Sequence, residues 1–363
     1  MPSALLHVAW ERCLLTPRRD GALESYARRK MGIVPPGLPY FVDCPWAAKA
    51  LLELHPEQGL LMHLDLHLAD LISLVVSQEN SCRYCYAAVR ALLRIQGMSE
   101  ARIQRLEQDL TRAELDPRTI TAITYARAQS RTGVSTAREA RRALLEAGFS
   151  TDETKEIAFV VATLDFLNRA STIPAIPSRA LEEFPDKLHT RLFRPLIARM
   201  LEGHRFRGRP APLTRVPAYP YAALVKAFSG SPIATVLADT LEGMWASTGL
   251  SRRAKLLLFA VIARGLGCEC CEEESSRALC EAGFAEPVLA RILTHLDAPE
   301  LTAVERVLVP FARETIWYEP APLQRRARSI RDQLSASEFL EAVGVLSLAN
   351  GLCRLGAAVA DGP

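Results

Sequence analysis

The sequence lacks any apolar run near the roughly 20 residues that a bilayer-spanning helix needs. Its most apolar stretches, 256–263 and 157–164, stop well short, and no transmembrane helix is expected. An excess of one charge is also missing. Lys and Arg number 44 against 41 Asp and Glu, for a formal net charge of +3, which offers neither nucleic acid nor an acidic membrane a general footprint. The first twenty residues carry Glu11, Arg12, Arg18 and Arg19 among short apolar pieces and do not read as a secretory signal, so a cytoplasmic protein is expected. No glycine-rich phosphate loop, nucleophile elbow or aspartate-rich calcium loop occurs, which leaves nucleotide-driven and serine-hydrolase chemistry without support. Strand-like alternation is scarce too.

What is present is a long apolar chain with unusual thiols. At 363 residues and 49% hydrophobic content, two domains, each with its own core, are expected. Nine cysteines, an odd number without an export signal, argue against a disulfide scaffold and for reduced thiols. Cys13, Cys44, Cys280 and Cys353 sit in apolar surroundings and read as small buried hydrophobes. Trp10, Trp46, Trp245 and Trp317 read as core or interface aromatics.

Apolar residues recur at spacings of three and four, as in Leu60, Leu61, Leu64, Leu68, Leu71, Ile72 and Val75, the stripe of a core-facing helix. The pattern predicts helices near 45–56, 60–78, 81–96, 99–111, 117–131, 136–148 and 151–171, with Pro117 in a first turn and Gly97 and Gly148 as stops. Sliding the chain against itself by 186 residues pairs Cys82 with Cys268, Cys85 with Cys271, Leu93 with Leu279, Gly97 with Gly283, Glu100 with Glu286 and Arg105 with Arg291. Further on the offset becomes 185, where Ser150-x-x-Glu153 meets Ser335-x-x-Glu338, each a capping box, and Arg169 meets Arg354. We read an internal duplication and expect an all-α protein of two tandem domains, 1–208 and 209–363, related by a pseudo-twofold axis, so that one chain equals one symmetric dimer. Further homo-oligomerisation stays open. Between Pro174 and Pro220, eight prolines and eight arginines mark a solvated linker containing one helix near 186–202; no aromatic interleaving supports a nucleic-acid partner.

The chemistry-bearing feature is Cys82-Arg83-Tyr84-Cys85, repeated as Cys268-Glu269-Cys270-Cys271. With Asn80 or Ser81 as cap, Cys82 falls in the first turn of a helix and Cys85 one turn deeper on the same face. Unpaired N–H groups and the positive helix end lower a thiol pKa there. Such a pair suits attack on a peroxide O–O bond, condensation of the sulfenic acid to a disulfide, and reopening by an external dithiol. A zinc half-site is the alternative, but a structural zinc needs four ligands and only His63 and His67 lie upstream. Asp70, embedded in the apolar stripe, either caps or pairs with an arginine, or faces the thiols as a proton carrier.

The run Asp70-Leu-Ile-Ser-Leu-Val-Val-Ser-Gln-Glu-Asn-Ser-Cys-Arg-Tyr-Cys85 resembles the signature of the alkylhydroperoxidase D-like group of the carboxymuconolactone decarboxylase superfamily, and the likeness covers most of 40–180 and, more weakly, 220–363. The resemblance implies an all-helical, oligomerising fold with peroxiredoxin activity, Cys85 as the peroxidatic thiol and Cys82 as its resolving partner. It implies an organic hydroperoxide or disulfide as substrate, a dithiol or lipoyl-type protein as reductant, and no bound cofactor or metal. Asp70 falls where that group has glutamate. Val89 stands where it has histidine, four residues after the second cysteine, and His67 is the substitute if it points at the thiols. Asn80 and Tyr84 fall within the signature as support residues, and aromatics near Cys82 would line an apolar channel.

In the second copy Leu256 takes the acid position and Ser275 the histidine position. Cys268 and Cys271 are therefore expected to be non-catalytic, serving packing first, a disulfide switch second and a metal third. Three cysteines within four residues of a regular helix do not all face one point. The rivals to an enzyme are a helical scaffold whose thiols no longer turn over, and decarboxylase-like lactone chemistry, against which the Cys-x-x-Cys argues.

Overall fold

A computed structural model describes residues 4–56, 59–108, 114–131, 134–205, 210–211, 213–214 and 220–359. Among the described residues the regular structure is entirely helical, with eighteen α-helices and no strand. The first eight are α1 (Gly21–Met31), α2 (Pro45–Glu53), α3 (Leu66–Glu79), α4 (Arg83–Ile95), α5 (Glu100–Gln108), α6 (Pro117–Arg131), α7 (Val134–Glu146) and α8 (Thr151–Thr172). A proline-rich passage follows with α9 (Arg179–Glu183) and α10 (Leu188–Arg205). The remainder comprises α11 (Ala222–Lys226), α12 (Pro232–Ala246), α13 (Arg252–Leu266), α14 (Glu269–Glu281), α15 (Glu286–His295), α16 (Ala303–Glu314), α17 (Pro320–Arg331) and α18 (Ala336–Val359). The expected domain boundary near 208 lies outside the described residues.

Local chemistry explains where the boundaries depart from the periodic pattern. The apolar stripe begins at Leu60, yet α3 starts at Leu66, where the Asp65 carboxylate accepts the N–H of Leu68 as an N-cap. Residues 60–65 are held out of the helix because the Glu156 carboxylate accepts the backbone N–H groups of Met62, His63 and Leu64. The capping box at Ser150 forms as read, with Ser150 and Glu153 satisfying each other's backbone N–H.

α8 and α18 pack along each other at the centre, with α3, α6 and α4 against α8 and with α13 and α14 against α18. The largest buried apolar cluster runs from Leu14 to Ala358 and draws on both sides of position 208. The two halves thus share a core where separate cores were expected, because the most apolar helices of each half are the ones that face each other. α18 is long and apolar enough to cross a membrane by length and composition, and 94% of its apolar window is buried inside the molecule.

Buried polar groups sit at the α8–α18 seam. The Arg169 guanidinium contacts the Asp165 carboxylate at 2.8 Å and donates to the carbonyls of Thr315 and Ile316. The Arg354 guanidinium donates to the carbonyls of Ser130 and Ile316, donates to Asn350, and lies 3.5 Å from Asp165 as an ion pair. Asn80 donates to Ser130 Oγ and Asp165 Oδ1 while Asn350 donates to Thr315 Oγ1. Every one of these groups would be costly to bury alone.

Candidate active site

α3 and α4 form an antiparallel hairpin whose tight connection brings Cys82 to the start of α4. Ser81 adopts a left-handed φ of 50° and Cys82 donates its N–H to the Ser77 carbonyl. The expected cap, Asn80 or Ser81, is not used: Cys82 is itself the N-cap, and its sulfur accepts the N–H of Cys85 at 3.3 Å. Asn80 instead caps the end of α3 and joins the Asp165 network.

The two sulfurs are both free thiols and differ in environment. Cys82 is fully buried and Cys85 is 7% exposed, with its sulfur 3.7 Å from Ser171 Oγ. Burial pushes against ionisation of Cys82, but the Cys85 thiol and N–H, the Thr172 hydroxyl and the Tyr84 N–H outweigh it and hold Cys82 below the ordinary thiol range. Cys85 is raised well above that range, by burial first and then because it gives its hydrogen bond to Cys82. The two thiols are coupled, with Cys82 the first of the pair to ionise.

Cys85 faces a cavity of about 310 Å³ between α4, α8, α10 and the segment around 31–41, with a lining that is almost wholly apolar. Ala88, Val89 and Leu92 continue the α4 wall beyond Cys85, and Ile197 and Leu201 of α10 cover it. Tyr84 lines the near end, where its hydroxyl accepts the Gly37 N–H at 2.8 Å. A side chain at Gly37 would collide with that hydroxyl, since an added Cβ would lie 2.9 Å from it. Two arginine pairs strap the cover to α4: Arg83 with Glu182 and Arg94 with Asp186.

Two expected relay residues are elsewhere. Asp70 accepts a hydrogen bond from Gln96 at the far end of α4. Eleven residues of helix, about 16 Å at 1.5 Å per residue, separate Gln96 from Cys85, so Asp70 does not face the thiols. An antiparallel hairpin sets the start of one helix beside the end of the other, and sequence distance from Asp70 to Cys82 hides this. His67 and His63 are exposed, so neither is turned toward the buried thiols. Ser171 and Thr172, which do meet the sulfurs, were missed because they come from the last turn of α8, 86 or more residues away in sequence.

The second cysteine group departs further from expectation. The sulfurs of Cys268, Cys270 and Cys271 all lie within 4.8 Å of one another, against the argument that three cysteines in four residues diverge. That argument assumed helical geometry throughout. Cys268 is the N-cap of α14, with φ −87° and ψ 88°, so its side chain folds back over the first turn. Cys270 is held below the usual thiol range, pushed down to about 3 by the Cys268 thiol and then the Cys271 thiol. Cys353 is fully buried, as expected, and its thiol lies beside that of Cys271. Cys280 is exposed and Cys13 half-buried, contrary to their reading as buried hydrophobes.

No protein-family model matches this chain, and no curated protein or solved structure matches it either.

Proposed function

We propose that the Cys82/Cys85 pair is a redox centre that reduces organic hydroperoxides or exchanges disulfides, on an alkylhydroperoxidase D-like scaffold. The observation that carries this reading is a low-pKa thiol at a helix N-cap, hydrogen-bonded to a second thiol that forms the wall of an apolar cavity.

In the proposed cycle Cys85 meets the peroxide, because its sulfur faces the cavity and Cys82 lies behind it. The Cys82 thiolate takes the Cys85 proton as the Cys85 sulfur attacks the O–O bond, leaving a sulfenic acid on Cys85 and an alkoxide. Cys82 returns that proton to the alkoxide, which departs as the alcohol. The Cys82 thiolate then attacks the sulfenic sulfur, the disulfide forms and hydroxide leaves. Two electrons pass from the thiols to the peroxide, and an external dithiol restores them by exchange. Cys82 is thus both resolving thiol and proton carrier, the second role being the one that histidine would fill at position 89.

The tandem reading belongs to the same proposal. Its support is a reciprocal exchange across the α8–α18 seam. Arg169 reaches Thr315 O while Arg354 reaches Ser130 O, and within each half Ser130 Oγ bonds Asp165 as Thr315 Oγ1 bonds Asn350. Arg169 and Arg354, and Ser130 and Thr315, are each separated by the sequence offset of 185. A pseudo-twofold axis near Ile316 accounts for both arginines bonding its carbonyl. We assign the protein to the cytoplasm, with a dithiol protein as partner. The rival, a scaffold without turnover, is favoured by Asp70 and His67 being away from the sulfurs.

The test is one equivalent of an alkyl hydroperoxide added to reduced protein, followed by peptide mapping. A Cys82–Cys85 disulfide is expected. Cys85→Ser should consume no peroxide, and Cys82→Ser should accumulate a sulfenic acid that a dimedone probe captures. Unmodified thiols after exposure, or full turnover by Cys82→Ser, would refute the proposal and leave the scaffold.

A further inference from the structure

The start of α14 carries features that the redox reading does not use. Cys268, Cys270 and Cys271 present three sulfurs within 4.8 Å, with Cys268 and Cys270 at 3.5 Å and Cys270 and Cys271 at 4.0 Å. Bonds of about 2.3 Å from sulfur to a d¹⁰ metal ion place ligand sulfurs about 3.8 Å apart in a tetrahedral site and about 4.0 Å apart in a trigonal one. The three thiols therefore need only small shifts to close on one ion.

A second, independent feature lies beneath them. Gly356 of α18 faces the group, and a Cβ added there would lie 2.8, 3.5 and 3.6 Å from the sulfurs of Cys271, Cys268 and Cys270. Glycine leaves open the volume on which all three sulfurs converge. At the offset of 185 its counterpart is Ser171, whose hydroxyl occupies that place beside Cys85, and the counterpart of Cys270 at 186 is Tyr84. The second group thus differs from the first by gaining a sulfur and losing the side chain that would crowd it. Cys268 and Cys271 are buried whereas Cys270 is exposed, so an ion has a way in from solvent. Glu269 in the first turn adds negative charge beside the group, while Glu272 is paired with Arg264.

We propose that Cys268, Cys270 and Cys271 form a three-thiolate site for one thiophilic d¹⁰ metal ion, zinc(II) or copper(I), with Gly356 conserving the space it occupies. Thiolate ligands select these ions over magnesium or calcium. Each ligating thiol releases its proton to solvent as its bond to the metal forms, and no electron is transferred.

The test titrates the fully reduced, full-length protein with zinc(II) and, separately, copper(I), each against a competing chromophoric chelator. One equivalent of at least one of the two ions should be retained. Cys270→Ser, a change at an exposed position, should weaken retention by at least about 100-fold, the upper end of what losing an outer partner costs a metal site. Gly356→Ala should weaken it as well. Cobalt(II) should give a thiolate-to-metal charge-transfer band in the near ultraviolet that Cys270→Ser lacks. Cys82→Ser combined with Cys85→Ser should keep the stoichiometric ion. Retention that is insensitive to Cys270→Ser, or that disappears only with Cys82 and Cys85, would overturn the assignment, as would failure of both ions to bind.

Discussion

Asp165→Asn tests the seam that holds both thiol groups in place. The substitution keeps the side chain's size and removes its charge. Asp165 is fully buried, 2.8 Å from Arg169 and 3.5 Å from Arg354, both of which are also buried. One carboxylate thus serves two guanidiniums, and burial, followed by the charge of Arg169, already pulls Arg354 down to about 10 despite Asp165. Removing one partner of a buried ion pair costs about 3–5 kcal/mol, a large share of the roughly 5–15 kcal/mol that stabilises a folded chain. At roughly 2 °C per kcal/mol, the low end of the range for large domains, the melting temperature should fall by about 6–10 °C, read by circular dichroism at neutral pH. Adding Arg354→Met removes the surplus cation, so the double variant should lose less than the sum of the two single losses. The folded protein binds the Arg354 proton less tightly than the unfolded chain does, so the penalty should ease as pH rises through about 10. A fall below about 2 °C, or strictly additive losses, would refute the claim that Asp165 is the shared counter-ion.

Three further outcomes follow from the site. Val89→His places an imidazole on the cavity wall one turn beyond Cys85; since general acid–base help contributes about 10²–10⁴-fold, peroxide reduction should rise at least tenfold, and an unchanged rate in a folded variant would mean that proton transfer is not limiting. Asp70→Asn should leave the peroxide rate within about twofold while lowering stability by about 1.5–3 kcal/mol, the usual worth of a hydrogen bond to a charged group; a large rate loss without destabilisation would contradict its place beside Gln96. In a Cys270→Ser background, ultraviolet thiolate absorbance should persist below the ordinary thiol range of about 8.5 and vanish with Cys82→Ser. Because the Cys82 pKa is depressed on folding, the stability it contributes is complete above the unfolded value and fades as pH falls through the folded one, so denaturant midpoints of this background and of its Cys82→Ser derivative should converge on acidification.

Helical class, the position of each cysteine group at a helix start, and the capping box at Ser150 were legible from the chain alone, because periodicity, prolines and caps act over three or four residues. Local pattern did not reveal which residues meet the sulfurs. Asp70 read as a relay because it is twelve positions from Cys82, and the antiparallel α3–α4 hairpin carries it to the opposite end; Ser171 and Thr172 arrive from α8 with no sequence signal at all. The same holds for the convergence of Cys268, Cys270 and Cys271, which depends on the non-helical backbone of Cys268 and on the vacancy at Gly356 of a helix 85 positions away. Sequence determines backbone preference and burial face through short-range sterics and hydrophobic spacing, whereas the neighbours of a sulfur, and hence its acidity and ligands, are decided only when distant helices pack.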